Sequence, residues 1–488
     1  MVKEIYIAGE WRLGKGATIQ SLFPADQSVN AEISTASLDD VNEAIEKADA
    51  AWRKAEWRNS MPHERARILY KVADIIEARV DELSKLQTRD NGKPLAETRA
   101  LTLSAAATAR YVAAACETLN DELTTQRAAD FMTMSVHEPV GVVAAITPWN
   151  SPIASEVQKL APALAGGNAV ILKPAEVTSL IALELAKIFE EAGLPKGLLS
   201  VLVGRGSVIG DAIVKHPLVR KISFTGGTTT GRHLAHLAAD KLITTSLELG
   251  GKSPTIVLPD ADIELAAKGV AYGIFSSAGQ ACIAGSRLFV HSSIYSQFLN
   301  RLVEITKGLR VGHPETAGVH LGSLINPKHL ASVDAYVQLA KQEGGQVLVG
   351  GHALTEGEFA KGSYYLPTII TGLSNSAQTC QEEIFGPVLV VMKYDDEQDL
   401  LAQANDSCFG LAAGIWTENY RKAWQIARAL EVGTVWINTY KKFSISAPFG
   451  GFKESGIGRE KGRLGILSYM QQKSIYMGLS EQPNPWAN

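Results

Sequence analysis

At 488 residues the chain exceeds one ordinary domain, and two or three compact units are expected. Hydrophobic residues make up 46% and charged residues 20%, as in globular proteins, and a formal net charge of −4 argues against a general nucleic-acid surface. No apolar run approaches the ~18 residues of a membrane span. The opening "MVKEIYIAGEWRLG" has no apolar signal-peptide core, so a cytoplasmic location is expected. Cys116, Cys282, Cys380 and Cys408 are scattered with no CxxC pair, which suits a reducing compartment and leaves no cysteine-built zinc site. His233 and His236 lie three apart in "GRHLAHLAADK", as on a solvated helix face, and no metal is expected.

The first third reads as helical. "SLDDVNEAIEKADAAWR" opens on an N-cap pattern and carries apolar residues at helical spacing. "PHERARILYKVADIIEARVDELSKLQTRDNGK" continues that period and stops at Asn91-Gly92. Residues 121–139 alternate without a helical face and suggest a protruding β-hairpin. From Gly141 short apolar strands alternate with helices: "GVVAAITP", "NAVILKP", "LLSVLVG", "KISFTGG" and "TTSLELGG" are the strands. One helix between successive strands implies right-handed βαβ units and a parallel sheet. A second alternating series runs from "SPTIVLP" to "VGTVWINT", and "GILSYMQQKSIYMGL" reads as a strand returning to pair elsewhere. The expected architecture is α/β, with two α/β domains built on open, parallel-type sheets. The first would span 1–120 and 140–249 and bind a nucleotide, the second would span 250–449, and 121–139 with 466–488 would form a β arm.

A cofactor surface is suggested at several strand ends. "VLVGRGSVIGD" places Gly204, Gly206 and Gly210 one spacing away from a dinucleotide fingerprint, and by itself serves equally as a plain strand-to-helix turn. "SFTGGTTTGR" ends a strand and opens a helix, whose free amides and positive dipole end favour a phosphate. Lys173 and Glu176 in "ILKPAE" lie just past another strand end, where they could hold ribose hydroxyls, or could equally be surface charges. A carboxylate there repels a 2′-phosphate, so NAD is expected over NADP.

Chemistry enters with a set of ordered segments: "ITPWNSP" (146–152), "ILKPAE" (171–176), "FTGGTTTG" (224–231), "LELGGKSP" (247–254), "GQACIAGSR" (279–287), "EEIFGPV" (382–388) and "PFGGFKESGIGRE" (448–460). Together they resemble the NAD(P)-dependent aldehyde dehydrogenase superfamily, in its hydrolytic branch, over essentially the whole chain. An sp² aldehyde has no alkoxide to expel a hydride. A thiolate first has to add to it, and the resulting thioester is then readily hydrolysed. The resemblance makes Cys282 the nucleophile and Glu248 the general base, with burial raising the carboxyl's pKa towards neutrality. It makes Asn150 and the backbone amide of Cys282 the oxyanion donors. Lys159 would stand by the carboxylates, and Glu460 would relay the proton. Glu383 would hold the nicotinamide ribose, Phe385 would pack beside the ring, and Trp149 with Gly226 and Gly227 would support the pyrophosphate. The same resemblance extends the cofactor surface to Ile146, Thr147, Pro148, Phe224, Gly231, Leu249 and Gly250. Many relatives carry serine where Gly227 stands, so only backbone donation is expected there.

Two pocket positions that are bulky and aromatic in members acting on simple aliphatic aldehydes hold Ser151 and Gln158 here. Phe443 and Phe449 remain as apolar walls, and "YKKFSIS" sets Lys441 and Lys442 near the mouth, unless both point to solvent. The tunnel is expected to suit a polar or partly anionic aldehyde, such as a semialdehyde or a hydroxylated lactol. Alternative readings are a coenzyme A-acylating member, which would lack the base at Glu248, and an idle structural member, which would have lost Cys282, Glu248 or Asn150. A cysteine hydrolase would need a histidine partner, and none falls in these segments. By the same resemblance, the hairpin and the terminal strand would join copies of the chain into a homodimer or homotetramer.

Overall fold

The computed structural model describes residues 1–480 and Trp486. Four short strands, Ile5–Ile7, Glu10–Arg12, Thr18–Leu22 and Val29–Ser34, precede the first helix, so the beginning of the chain is not helical as its later period suggested. These strands are only three to six residues long and are held by partners far along the chain. Tyr6, for example, pairs with Val201 and puts Ile5–Ile7 in the first large sheet. The helix Leu38–Arg53 then begins as its sequence indicates. Ser37 accepts from the Asp40 amide while the Asp40 carboxylate accepts from the Ser37 amide. The long periodic stretch after it forms two helices, Pro62–Ala78 and Val80–Asn91, separated at Arg79 and closed by Gly92 at φ +76°. Helix Leu95–Cys116 follows.

The first sheet has the spatial order Glu10–Arg12, Ile5–Ile7, Leu199–Val201, Ala169–Lys173, Val142–Ile146, Val219–Thr225, Thr244–Glu248 and Gly456–Ile457. Its five middle strands are parallel. Val142–Ile146 and Ala169–Lys173 are buried along their whole length, which is why they read as unbroken apolar runs. The chain starts at Val142–Ile146, builds outward on one side, then crosses to Val219–Thr225 on the other. The crevice at such a reversal, beyond the carboxyl ends of the strands, is where open α/β sheets bind ligands.

The second sheet runs Gln346–Val349, Thr368–Thr371, Val388–Tyr394, Arg287–His291, Pro254–Val257, Ala412–Trp416 and Thr434–Ile437. All its pairings are parallel except that of the edge strand Gln346–Val349. A separate core of its own, centred on Leu288, Phe289, Val390 and Ile415, packs around it. The arm is a third, small sheet in which Met470–Gly478 pairs antiparallel with Phe131–Pro139, from Met470↔Pro139 to Gly478↔Phe131, and Glu122–Leu123 adds an edge. The terminal strand starts later than its sequence suggests, because Gly462–Leu467 is a short helix. Ile466 and Tyr469, three residues apart, both enter the first core from this turn. Residues 481–485, 487 and 488 of the expected arm lie outside the described residues. No helix among the described residues is long and apolar enough to cross a membrane.

Candidate active site

Cys282 lies on a loop between the turn Ser276–Gly279 and the strand Arg287–His291. Ser277, Ala278 and Gly279 take φ values of 59°, 51° and 71°, a run of left-handed residues that reverses the chain sharply. The Glu97 carboxylate holds this reversal by accepting from the Ser277 amide at 2.8 Å and its hydroxyl at 2.6 Å. The small residues of "GQACIAGSR" let three backbone segments meet. A Cβ on Gly279 would lie 2.0 Å from the Gly386 carbonyl, and one on Gly251 would lie 2.4 Å from the Cys282 carbonyl. Ile283 anchors the far side of the loop among Leu411, Trp436 and Tyr440, and the Tyr440 hydroxyl donates to its carbonyl at 3.0 Å. The half-buried Cys282 thiol is pushed up to about 12, first by burial and then by the nearby carboxyls of Glu383 and Glu248. It therefore rests as a thiol and needs a base to become a nucleophile.

Glu248 supplies a carboxyl at that place. It is the last residue of its strand, is 4% exposed, and neither of its oxygens has a hydrogen-bond partner among the described residues. Burial, and next the charge of Glu460, raise its pKa well above the carboxylate range. Glu460 is fixed by mutual backbone hydrogen bonds with Phe449 at 2.8 and 2.7 Å. Its carboxylate accepts from Lys159 and, at 2.5 Å, from the Gln158 amide. Lys159 is fully buried and donates also to Ser223 Oγ at 3.1 Å, which in turn lies 2.8 Å from the Tyr469 hydroxyl. Asn150 Nδ2 donates to the Gln280 carbonyl at 3.0 Å, tying the "PWN" turn to the nucleophile loop.

These groups converge on one cavity of about 440 Å³. Asn150, Glu248, Cys282 and Glu460 line it, and so do Ser151, Gln158, Phe443 and Phe449. Lys159 stands behind Glu460 rather than on the wall. Of the two lysines expected at the mouth, Lys441 lines the cavity and Lys442 is exposed, with its carbonyl accepting from Trp436 Nε1. Lys93 and Lys461 also reach the wall and were not singled out from the sequence. Lys461 follows Glu460 directly in "GREKG", and that adjacency was the available signal. A roomier groove of about 580 Å³ beside Trp11, Arg89 and Lys187 contains none of these residues.

Several of the residues expected at the cofactor lie at the strand ends of the first sheet. Ile146 and Lys173 end neighbouring parallel strands, and the Thr147 amide donates to the Lys173 carbonyl at 3.1 Å, with Pro148 next in line. Thr147 Oγ1 is buried without a partner among the described residues, and burial lowers the Lys173 ammonium to about 8. Glu176 opens the turn Glu176–Thr178. Gly206 begins a wide helical turn, Gly206–Gly210, so the glycine string there forms a strand-to-helix connection. Gly227 caps helix Thr228–Ala239, and a Cβ on it would meet nothing within 4 Å. A Cβ on Gly226 would strike the Phe224 ring at 2.4 Å, and one on Gly231 would strike Leu249 at 2.3 Å, so these pairs set the height of the turn. Across the cleft the Gly251 amide donates to Glu383 at 3.0 Å, and Gly250 leaves room for that carboxylate, which burial raises to about 7. Trp149 meets Phe385 edge-on at 5.3 Å and His329 at 5.5 Å.

A dinucleotide-type crevice at the strand ends, with a half-buried thiol and a buried carboxyl on one cavity, suits a nucleotide-linked oxidoreductase. Residues 11–475 match the aldehyde dehydrogenase family. The fold is similar to a betaine aldehyde dehydrogenase from Staphylococcus aureus in complex with NAD+, with a TM-score of 0.97 at 36% identity, covering 99% of this chain and 96% of that one. It is equally similar to an NAD+ complex of an aldehyde dehydrogenase from Bacillus cereus, with a TM-score of 0.96 at 37% identity, covering 98% and 97%. The chain belongs to the aldehyde dehydrogenase family, and is an NAD-dependent oxidoreductase that oxidises aldehydes by way of a cysteine nucleophile.

Proposed function

We propose that the protein oxidises a polar aldehyde to its carboxylic acid through a thiohemiacetal and a thioester on Cys282, the thioester being hydrolysed by water that Glu248 activates. The observation that carries this reading is the Glu248 carboxyl, which is buried, free of hydrogen-bond partners among the described residues, and on the same cavity wall as Cys282. Glu248 first takes the thiol proton and the thiolate adds to the carbonyl carbon. The alkoxide that forms is held by Asn150 Nδ2 and the Cys282 amide. NAD, when bound, accepts the hydride that leaves this adduct. Glu248 passes the thiol proton on to Glu460, which Lys159 holds, and, ionised again, takes a proton from water as the water attacks the thioester; that second proton leaves by the same route.

The residues at the strand ends fit a dinucleotide. The unpartnered Thr147 hydroxyl, the Lys173 ammonium and the open space at Gly227 leave donors free for phosphates and ribose. Ile146, Pro148, Trp149, Phe224, Gly226, Gly231, Leu249 and Gly250 would form the walls of that site, with Gly206 at its rim. Glu383 would take the nicotinamide ribose and Phe385 the ring. Glu176 would disfavour the 2′-phosphate of NADP.

Ser151 and Gln158 favour a polar substrate over an alkyl one. The betaine aldehyde of the S. aureus relative is a cation, and Lys441 and Lys461 on the wall oppose a cation in this chain. Glu248 also speaks against transfer of the acyl group to coenzyme A, which needs no water-activating base. We place the enzyme in the cytoplasm, as a homodimer or homotetramer joined through the arm.

The test is reduction of NAD with a panel of aldehydes, run beside two variants. Cys282→Ala should abolish turnover. Glu248→Gln should give one burst of reduced nicotinamide followed by slow turnover, because the thioester then accumulates. Undiminished steady-state activity in Cys282→Ala would sink the mechanism.

A further inference from the structure

The charges on the cavity wall do not balance. Burial, and next the charge of Glu460, raise the pKa of Glu248 and so weaken its charge at the wall. Glu460 is matched by Lys159, and Glu97 lies 4.0 Å from Lys93 while binding Ser277. Two further cations have carboxylates in their neighbourhood, Glu97 for Lys441 and Glu460 with Glu248 for Lys461, but none at ion-pair distance among the described residues. Lys441 Nζ donates to Ser276 Oγ at 2.7 Å, lies 6.0 Å from the Tyr272 ring, and faces no carboxylate within ion-pair distance among the described residues. Lys461 Nζ sits 4.0 Å over the Phe443 ring and 5.4 Å from Phe449, with no hydrogen bond or ion pair among the described residues. Burial lowers the pKa of both, by more than Glu97 near Lys441 and Glu460 near Lys461 raise it, so each ammonium is only partly compensated by its surroundings. The backbone of Lys461 takes φ 60°, uncommon for a residue other than glycine. Phe443, under Lys461 and two residues along the chain from Lys441, lines the same cavity as both lysines.

We propose that Lys441 and Lys461 form a carboxylate-binding subsite, and that the substrate is an aldehyde whose other end carries a carboxylate. The subsite rests on the assignment of Cys282 as nucleophile, since it is defined by the cavity that cysteine shares. The carboxylate supplies the missing counter-charge and takes the free N–H donors of both lysines, while the Phe443 and Phe449 rings line the carbon chain between the two ends. The product is a dicarboxylate, and the reaction that provides the substrate leaves an aldehyde at one end of an already acidic molecule.

The experiment compares kcat/KM for 4-oxobutanoate and 5-oxopentanoate with that for the alkanals of the same chain length, all with NAD. A preference of tenfold or more for one of the carboxylated aldehydes is expected. In Lys441→Met and in Lys461→Met the ratio of carboxylated to uncharged substrate should fall about tenfold to hundredfold, chiefly through KM. Lys461→Glu should turn the preference towards an aldehyde with a quaternary ammonium end, a change that loss of packing alone would not bring. Equal kcat/KM for the two classes in the unaltered enzyme would overturn the subsite and leave the aldehyde-oxidising reading standing. An unchanged ratio in both methionine variants would do the same. Failure of every aldehyde to reduce NAD, or turnover in Cys282→Ala, would instead overturn the reading on which the subsite depends.

Discussion

Glu248 and Glu156 are both buried carboxyls without hydrogen-bond partners among the described residues, and burial raises the pKa of both. They differ in what they face. Glu248 looks into the cavity with Cys282, whereas Glu156 is fully buried in helix Pro152–Ala165 with Asp90 as its charged neighbour. In the proposed role of base, Glu248 works only when ionised, so kcat/KM should rise with pH along a limb set by its raised pKa, and Glu248→Gln should flatten that limb. Glu156 bears on stability instead. Its carboxyl stays protonated in the folded chain but ionises near 4.5 when unfolded, so the folded state binds the extra proton and loses stability as pH rises above that value. Glu156→Gln should therefore match the parent's thermal midpoint near pH 4 and exceed it by a few degrees at pH 8, the gap widening with pH. A gap that is constant with pH would disprove this. That Glu248 shares a cavity with Cys282 was legible in the sequence, because "LELGG" and "GQACIAGSR" occur together in the family the chain resembles. Glu156, Lys93 and Lys461 were not, since burial of a charge depends on what other segments bring to it.

Elements were legible where their own residues fix them. Ser37 and Asp40 cap the helix Leu38–Arg53 in both directions, and Ser37→Ala should cost about 1 kcal/mol, measured as a lower denaturant midpoint with unchanged kcat. The parallel strands announced themselves by unbroken apolar runs. The strands before Ser37 did not, because segments such as Ile5–Ile7 are too short to carry a period and owe their form to distant partners. The end of the helix Gly462–Leu467, from Gly465 on, reads as strand for a similar reason: a six-residue segment shows barely one helical repeat. The nucleophile loop is set by contacts rather than by period. At Gly251 a Cβ would press on the Cys282 carbonyl at 2.4 Å, and a shift of the loop by about 1 Å can cost on the order of 100-fold in rate. Gly251→Ala should thus lower kcat by about that factor while binding of NAD, followed by fluorescence quenching, changes little.

At the scale of the whole molecule, two sheets with separate cores enclose the site, and the sequence foretold both from their alternating strands and helices. The arm was legible only in outline, because its strand pairing joins segments more than 300 residues apart. Its strand Met470–Gly478 leaves Ile475, Tyr476 and Met477 exposed, and Leu123 and Leu479 lie uncovered near it. Such an apolar strand is suited to burial against another copy. Light scattering should report a dimer or larger assembly, and Ile475→Asp with Met477→Asp should dissociate it by at least one step; a monomeric parent would refute the assignment of the arm. The Gly456–Ile457 strand, which pairs with Leu247 and Glu248, has a further consequence. It and Glu460 come from the last part of the chain, yet they close the edge of a sheet whose other strands were laid down by residue 248. During synthesis the thiol of Cys282 therefore leaves the ribosome well before the strand and carboxylate that complete its surroundings. A nascent or truncated chain ending before Gly456 would carry Cys282 without the proposed proton outlet at Glu460, so on that proposal hydrolytic turnover waits until translation has reached the end of the fold.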